Sequence, residues 1–290
     1  MQNNRLNFVK RHRLLSFFLI TYGISWGIPG IALLISAWTG AFEVSLREYS
    51  PLSYIAIWSP ALSAFIVIFL TQGKAGIRAY FSRLFHWNVS WIWYAVVFLG
   101  VPLMNFLAAV LMKAFSASWL VVPTVPLDTF LIIVLLKGTE GPFDELGWRG
   151  YALPLLQKRF SGLSAAAILG FFWMLWHVPA LFLETVMADV FQGNILIVIL
   201  RLFVGGIATT IVMTVIYNGS DGSIPLMFFW HWLSNIPYPW ELGAGVSYMQ
   251  DVLIIIAAII LILTLRHRYL GKDNLFTNVT PGVPEPVEAG

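Results

Sequence analysis

The sequence predicts an all-α polytopic membrane protein, with about eight transmembrane helices enclosing a membrane-embedded polar cavity and both termini cytosolic. Three observations predict this class. The 290 residues are 59% hydrophobic and 11% charged, with a mean hydropathy of +0.80. Several apolar stretches reach about 17–25 residues, the length that crosses a bilayer as a helix. Basic residues gather on alternate connections, as the positive-inside rule requires. A membrane β-barrel is excluded, because segments of about ten residues with alternating polarity are absent.

The elements follow in order. Residues 1–13 form a basic cytosolic N-terminus. Leu14–Trp38 is too long for a cleaved signal peptide and lacks a small-residue cleavage site, so it reads as a retained first span. Tyr54–Thr71 is the second span. Gly76–Trp87 mixes Arg78, Arg83 and His86 with Ile77, Tyr80, Phe81, Leu84 and Phe85, the pattern of an amphipathic helix in the inner interface. Trp91–Phe115 is the third span, and the N-terminal three-helix part runs from 14 to 126. Leu127–Gln157 is a broken fourth element: Lys137-Gly138-Thr139-Glu140-Gly141-Pro142 interrupts it, and Pro142 suits the first turn of a new helix. Leu163–Leu183, Asn194–Tyr217, Ile224–Pro237 and Tyr248–Leu265 complete a second membrane part over 127–265. The seventh of these is short for a span, which suits a tilted helix or one partly buried in protein. The tail, 266–290, is polar and contains prolines, and is expected to be cytosolic and disordered.

With eight spans, twelve basic residues fall on one side: Arg5, Lys10, Arg11, Arg13, Lys74, Arg78, Arg83, Lys158, Arg159, Arg266, Arg268 and Lys272. The far side holds Arg47, Lys113 and the acidic Glu43, Glu48, Glu184, Asp189 and Glu241. This placement accounts for the net charge of +3, so the partner it implies is the lipid bilayer and not nucleic acid. The absence of cysteine excludes disulfides, thiolate metal ligands and a cysteine nucleophile.

Ionisable groups among apolar spans usually mark a site or a pathway. Asp144-Glu145-Leu146-Gly147-Trp148-Arg149 carries three formal charges in six residues. Glu145 and Arg149 are four apart and share a helix face, so they can pair. Asp144 points about 100° away, toward the side of Trp148 and Tyr151, and is left as a candidate general base for activating water. A structural ion pair between helices explains the same spacing. His177 follows Trp173 by one helical turn, and a lone histidine in apolar surroundings is often a hydrogen-bonded core residue. His231 and Asn235 share a face, and can stabilise an oxyanion, bind a metal or bond helices together. Arg201 can face the bundle interior or snorkel. No HExxH motif is present, which excludes an ordinary zincin.

These residues carry a resemblance. Asp144-Glu145-x-x-x-Arg149 resembles the EExxxR motif of the CAAX-protease and bacteriocin-processing (CPBP, or Abi) intramembrane proteases, Trp173-x-x-x-His177 their FxxxH motif, and His231-x-x-x-Asn235 their HxxxN/D motif. The surrounding text, GWRGYALPLLQ, WMLWHVP and YNGSDGSIPLMFFWHWLSN, is similar as well, and the likeness spans about Pro142–Pro237. It implies a fold similar to that of the Ras-converting CAAX prenyl endopeptidase, and hydrolysis of a peptide bond of a membrane-associated peptide or protein. It further implies that Asp144, with His177 nearby, activates water, that His231 and Asn235 stabilise the oxyanion, and that Glu145 and Arg149 hold the motif helix. The metal requirement stays open: His177, His231 and Asp144 can bind Zn²⁺, or the same set can work as acid and base without it. Two positions depart from the pattern, Asp144 for glutamate and Trp173 for phenylalanine. The aspartate keeps a second possibility in view, an inactive relative acting in bacteriocin immunity or binding a membrane protein. A transporter is a third, disfavoured because the polar residues lie in one half of the chain without an inverted repeat.

Overall fold

The computed structural model describes residues 2–40, 44, 49–116, 126–184, 195–238 and 244–286. Every regular element among them is helical. A short helix, α1 (Gln2–Arg11), leads into α2 (Arg13–Thr39), and α3 (Pro51–Ile57) precedes α4 (Ser59–Arg83) and α5 (Trp91–Ser116). The broken element follows as α6 (Leu127–Thr139) and α7 (141–157). The chain continues through α8 (Gly162–Glu184), α9 (Ile195–Gly219), α10 (Ile224–Asn235) and α11 (Ala244–Leu265).

Proline and cap chemistry set several of these starts. Pro51, Pro142 and Pro225 occupy first turns, where a missing N–H costs nothing. The Ser50 side chain caps α3 by accepting from Ser53 N at 3.2 Å. Gly40 ends α2 in the left-handed conformation.

Among the described residues six helices, α2, α4, α5, α8, α9 and α11, are long and apolar enough to cross a membrane. The other two expected spans are shorter. At about 1.5 Å per residue, α10 is about 18 Å long, well under the bilayer core of about 30 Å. The Thr139–Gly141 break limits α6 in the same way. Glu43, Arg47, Glu48, Asp189 and Glu241, placed on the far side by the charge count, lie outside the described residues, as does Asn194.

The fold is arranged around α7. Its residues are buried continuously from Asp144 to Gln157. Trp148 and Tyr151 pack on Phe17 of α2, with ring centroids 5.5 and 5.3 Å apart. A π turn over Trp148–Ala152 widens the helix there. Helices α8 and α9 approach closely because Gly170 has no side chain: a Cβ on it would lie 2.9 Å from Ile207 Cα. The outer surface is apolar, with Leu34, Leu99 and Leu263 each more than 60% exposed. Water would penalise such a surface and lipid does not, so this is a multi-pass membrane protein.

Two segments make contacts that their composition does not announce. Helix α4 turns at Gly73 (φ 62°), and the segment beyond it also packs into the protein. Tyr80 and Arg83 are buried in protein; Tyr80 Oη donates to Leu146 O, and Arg83 Nη1 donates to Gly150 O at 2.7 Å. The described part of the tail, up to residue 286, makes specific contacts with the helices. Val279 and Thr280 are buried, Gln157 Nε2 donates to Phe276 O at 2.8 Å, and Gln72 Nε2 donates to Thr280 Oγ1 at 2.8 Å. Glu285 pairs with Lys158 and lies 3.8 Å from Arg13. A few apolar residues and many backbone acceptors suffice to dock a segment whose composition reads as solvated. These contacts also bring Arg13, Arg83 and Lys158 to one end of the bundle.

Candidate active site

Glycine and proline start α7 with a tight turn, Gly141–Asp144, which sets Asp144 and Glu145 side by side at the first buried turn. Both carboxylates are fully buried. Glu145 Oε1 accepts from Arg149 Nη1 at 2.7 Å, the pairing expected of residues four apart. Arg149 is itself anchored from α9, donating from Nη2 to Thr210 Oγ1 at 3.0 Å, and its guanidinium lies 4.4 Å from the centre of the Trp173 ring.

Asp144 does not face Trp148 and Tyr151. The tight first turn and the later π turn separate their faces, and Asp144 is directed at α8 and α10 instead. Its Oδ2 accepts from Trp173 Nε1 at 3.1 Å. Its Oδ1 lies 3.0 Å from His231 Nδ1, and the same nitrogen is 2.8 Å from Glu145 Oε1. The two carboxylates therefore share one imidazole nitrogen, placed by α10.

On α8, His177 Nδ1 is 2.8 Å from Trp173 O. A carbonyl only accepts, so Nδ1 carries the proton and Nε2 holds the lone pair of the neutral ring. Trp176 stands edge-on to His177, with ring centroids 4.6 Å apart. Asn235 is one turn after His231, and a Cβ at Gly141 would lie 2.7 Å from both Asn235 Nδ2 and His231 Nε2. Asp144, His177, His231 and Asn235 line one cavity of about 370 Å³, with Glu140 and Gly141 at its edge. Glu145 and Arg149 stand behind that lining.

Asp144, Glu145 and His231 each offer one ligand atom, all within 4.8 Å of one another. His177 lies outside that group. Arg201 is not brought to this site: its Nε donates to Asp251 Oδ2 at 2.8 Å, and its guanidinium lies 3.6 Å from the centre of the Tyr248 ring.

Sequence reasoning missed Thr210, Gly141, Asp251 and the donor role of Trp173. Asp251 was open to discovery as the one acid within an apolar run ending the chain's spans. Thr210 sits in a Thr209-Thr210 pair, and nothing in the local sequence selects which hydroxyl faces Arg149.

Two comparisons show what this chain is similar to. A family profile described as "Type II CAAX prenyl endopeptidase Rce1-like" matches residues 124–237, the stretch that supplies α6 to α10. The chain is also 31% identical over 241 residues to the "CAAX prenyl protease 2" of Methanococcus maripaludis, covering 77% of this chain and 81% of that protein. With the three polar helices gathered at one cavity and a likeness running through most of both chains, this protein belongs to the CAAX prenyl endopeptidase family.

Proposed function

We propose that the protein is an intramembrane endopeptidase that hydrolyses a peptide bond of a membrane-associated peptide or protein. The observation that carries this reading is the convergence of Asp144, His177, His231 and Asn235 on one cavity inside the bundle. Asp144 takes a proton from a water that the Nε2 lone pair of His177 helps to orient. The water oxygen attacks the scissile carbonyl. The negative charge that develops on the carbonyl oxygen is met by His231 Nε2–H and Asn235 Nδ2–H. Two carboxylates and the Arg149 guanidinium leave one negative charge, which an imidazolium at His231 neutralises while presenting Nε2–H to the cavity. Asp144 then returns its proton to the leaving amine as the C–N bond breaks. Glu145 and Arg149 hold the start of α7.

The donor set also fits a Zn²⁺ ion, with Asp144, Glu145 and His231 as its oxygen and nitrogen ligands; Glu145 Oε2 is buried without a protein hydrogen-bond partner. Such an ion would polarise the water or the carbonyl. The basic residues tied together by the tail support cytosolic termini in a cell membrane.

The test is hydrolysis of a membrane-anchored fluorogenic peptide by the purified protein in micelles. A prenylated C-terminal peptide is the first substrate to use, given the name of the archaeal relative. Asp144→Ala abolishes turnover under this reading, and unchanged turnover removes the base assignment. Exhaustive chelation in the same assay separates the two versions: turnover survives without a metal role and is lost with one. Activity absent from the native protein and created by Asp144→Glu would instead mark an inactive relative.

A further inference from the structure

The two departures from the family pattern meet in space. Asp144 stands where the motif has glutamate, and Trp173 where it has phenylalanine. They lie 29 residues apart on different helices, and the Trp173 indole N–H donates to Asp144 Oδ2 at 3.1 Å. Phenylalanine has no donor to offer there. Aspartate is one methylene shorter than glutamate, a difference in reach of about 1.5 Å.

We infer that Trp173 is the positioning residue for the Asp144 carboxylate, and that the two side chains form a matched pair replacing the glutamate–phenylalanine pair of the motif. For its catalytic readout the inference rests on the endopeptidase reading above. Trp173 of α8 donates to Oδ2, whereas His231 Nδ1 of α10, whose hydrogen bond goes to Glu145 Oε1, lies 3.0 Å from Oδ1 without a hydrogen bond to it. Among the described residues the indole N–H is the one hydrogen-bond donor to this carboxylate, and it sets the rotation. The indole is fixed in turn: it is buried, Arg149 lies over its face, and His177 and His231 stand edge-on to it, with ring centroids 5.3 and 5.8 Å away. The larger ring fills the space that the shorter acid leaves, and its N–H supplies a bond that fixes where the acid points.

The pairing makes each single change damaging and the joint change tolerable. Trp173→Phe leaves Oδ2 as a buried acceptor without that donor, free to rotate away from the water. Asp144→Glu drives the carboxylate toward an indole that does not yield, because Arg149 and both histidines hold it. Together the two changes remove the donor and the need for it, and exchange ring volume for a methylene.

The experiment is a double-mutant cycle on the full chain in micelles, with kcat and KM measured on the anchored peptide. Trp173→Phe and Asp144→Glu should each lower kcat about 10–100-fold, with KM changed less than about threefold. The double variant should stand within about tenfold of native, well above the product of the two losses. A double variant that shows that full product overturns the pairing. Independently of catalysis, ¹⁵N-labelled indoles report the hydrogen bond. The Trp173 N–H resonance, identified by its loss in Trp173→Phe, should shift in Asp144→Ala; an unmoved resonance overturns the inference. If all four proteins are inactive on every peptide, the endopeptidase reading fails, and the indole resonance still decides whether Trp173 holds Asp144.

Discussion

Replacing Gly141 with alanine should lower kcat about 100-fold while leaving the protein folded. The added Cβ would lie 2.7 Å from His231 Nε2, 2.7 Å from Asn235 Nδ2 and 3.2 Å from His231 Cε1. Ordinary non-bonded contact needs about 3.5 Å, so the two polar atoms must retreat by about 0.8 Å. Displacement on that scale near reacting atoms costs about 10²-fold, and loss of one oxyanion donor costs about 10²–10³-fold in kcat. Overpacking itself costs about 1–3 kcal/mol, which a native fold survives. The informative control is Gly138→Ala, whose Cβ would meet Trp232 Cε2 at 2.8 Å, a comparable clash on the α6 side of α10. It should lower the melting temperature without a matching loss of kcat. Steady-state hydrolysis and thermal unfolding of the three proteins in one detergent provide the comparison. If Gly141→Ala turns over within about threefold of native while folded, His231 and Asn235 do not form the oxyanion site.

Arg149→Ala removes the cation from a fully buried pair and should cost about 3–5 kcal/mol, seen as poor recovery of folded protein or a large fall in melting temperature; a native-like melting curve would mean that the Glu145 carboxylate is neutral or otherwise held. Deleting the chain after Lys272 removes the burial of Val279 and Thr280 and the carbonyl that Arg83 Nη1 contacts at 3.3 Å, and should lower the melting temperature by about 5 °C or more. An unchanged melting temperature would show that the docked tail contributes nothing to the fold.

The helices were legible because a bilayer demands long apolar runs, and the break before α7 was legible because Gly141-Pro142 cannot continue α6. The polar faces of α7, α8 and α10 were legible as well, since spacings of four place Glu145 with Arg149 and His231 with Asn235. What the sequence hid is long-range or directional. The aim of Asp144 depends on a tight turn and a π turn that helical periodicity does not encode. The Trp173 N–H reads as an aromatic ring until its partner on another helix is placed. The tail reads as solvated because much of its docking is by backbone and hydroxyl oxygens, the carbonyls of Phe276 and Val279 and the Thr280 side chain, which leave no apolar pattern. Six of the eight expected spans are long apolar helices among the described residues; α6 and α10 are apolar but shorter, with 13 and 12 residues.

Two carboxylates cannot be taken into the interior of a membrane protein one at a time. Each isolated charge there costs several kcal/mol, and the attraction of a partner offsets this only when the geometry is good. Here the partners come from three helices, Arg149 from α7, Trp173 from α8 and His231 from α10, and Thr210 of α9 anchors Arg149 in turn. Closing the bundle and assembling the site are therefore one event. Removing a charged partner strikes stability and turnover together, and an inactive Arg149 variant says little about chemistry. A change that moves an atom by less than 1 Å without removing a charge, as at Gly141, separates them, because the carboxylates keep their charged partners while the proposed oxyanion site is crowded.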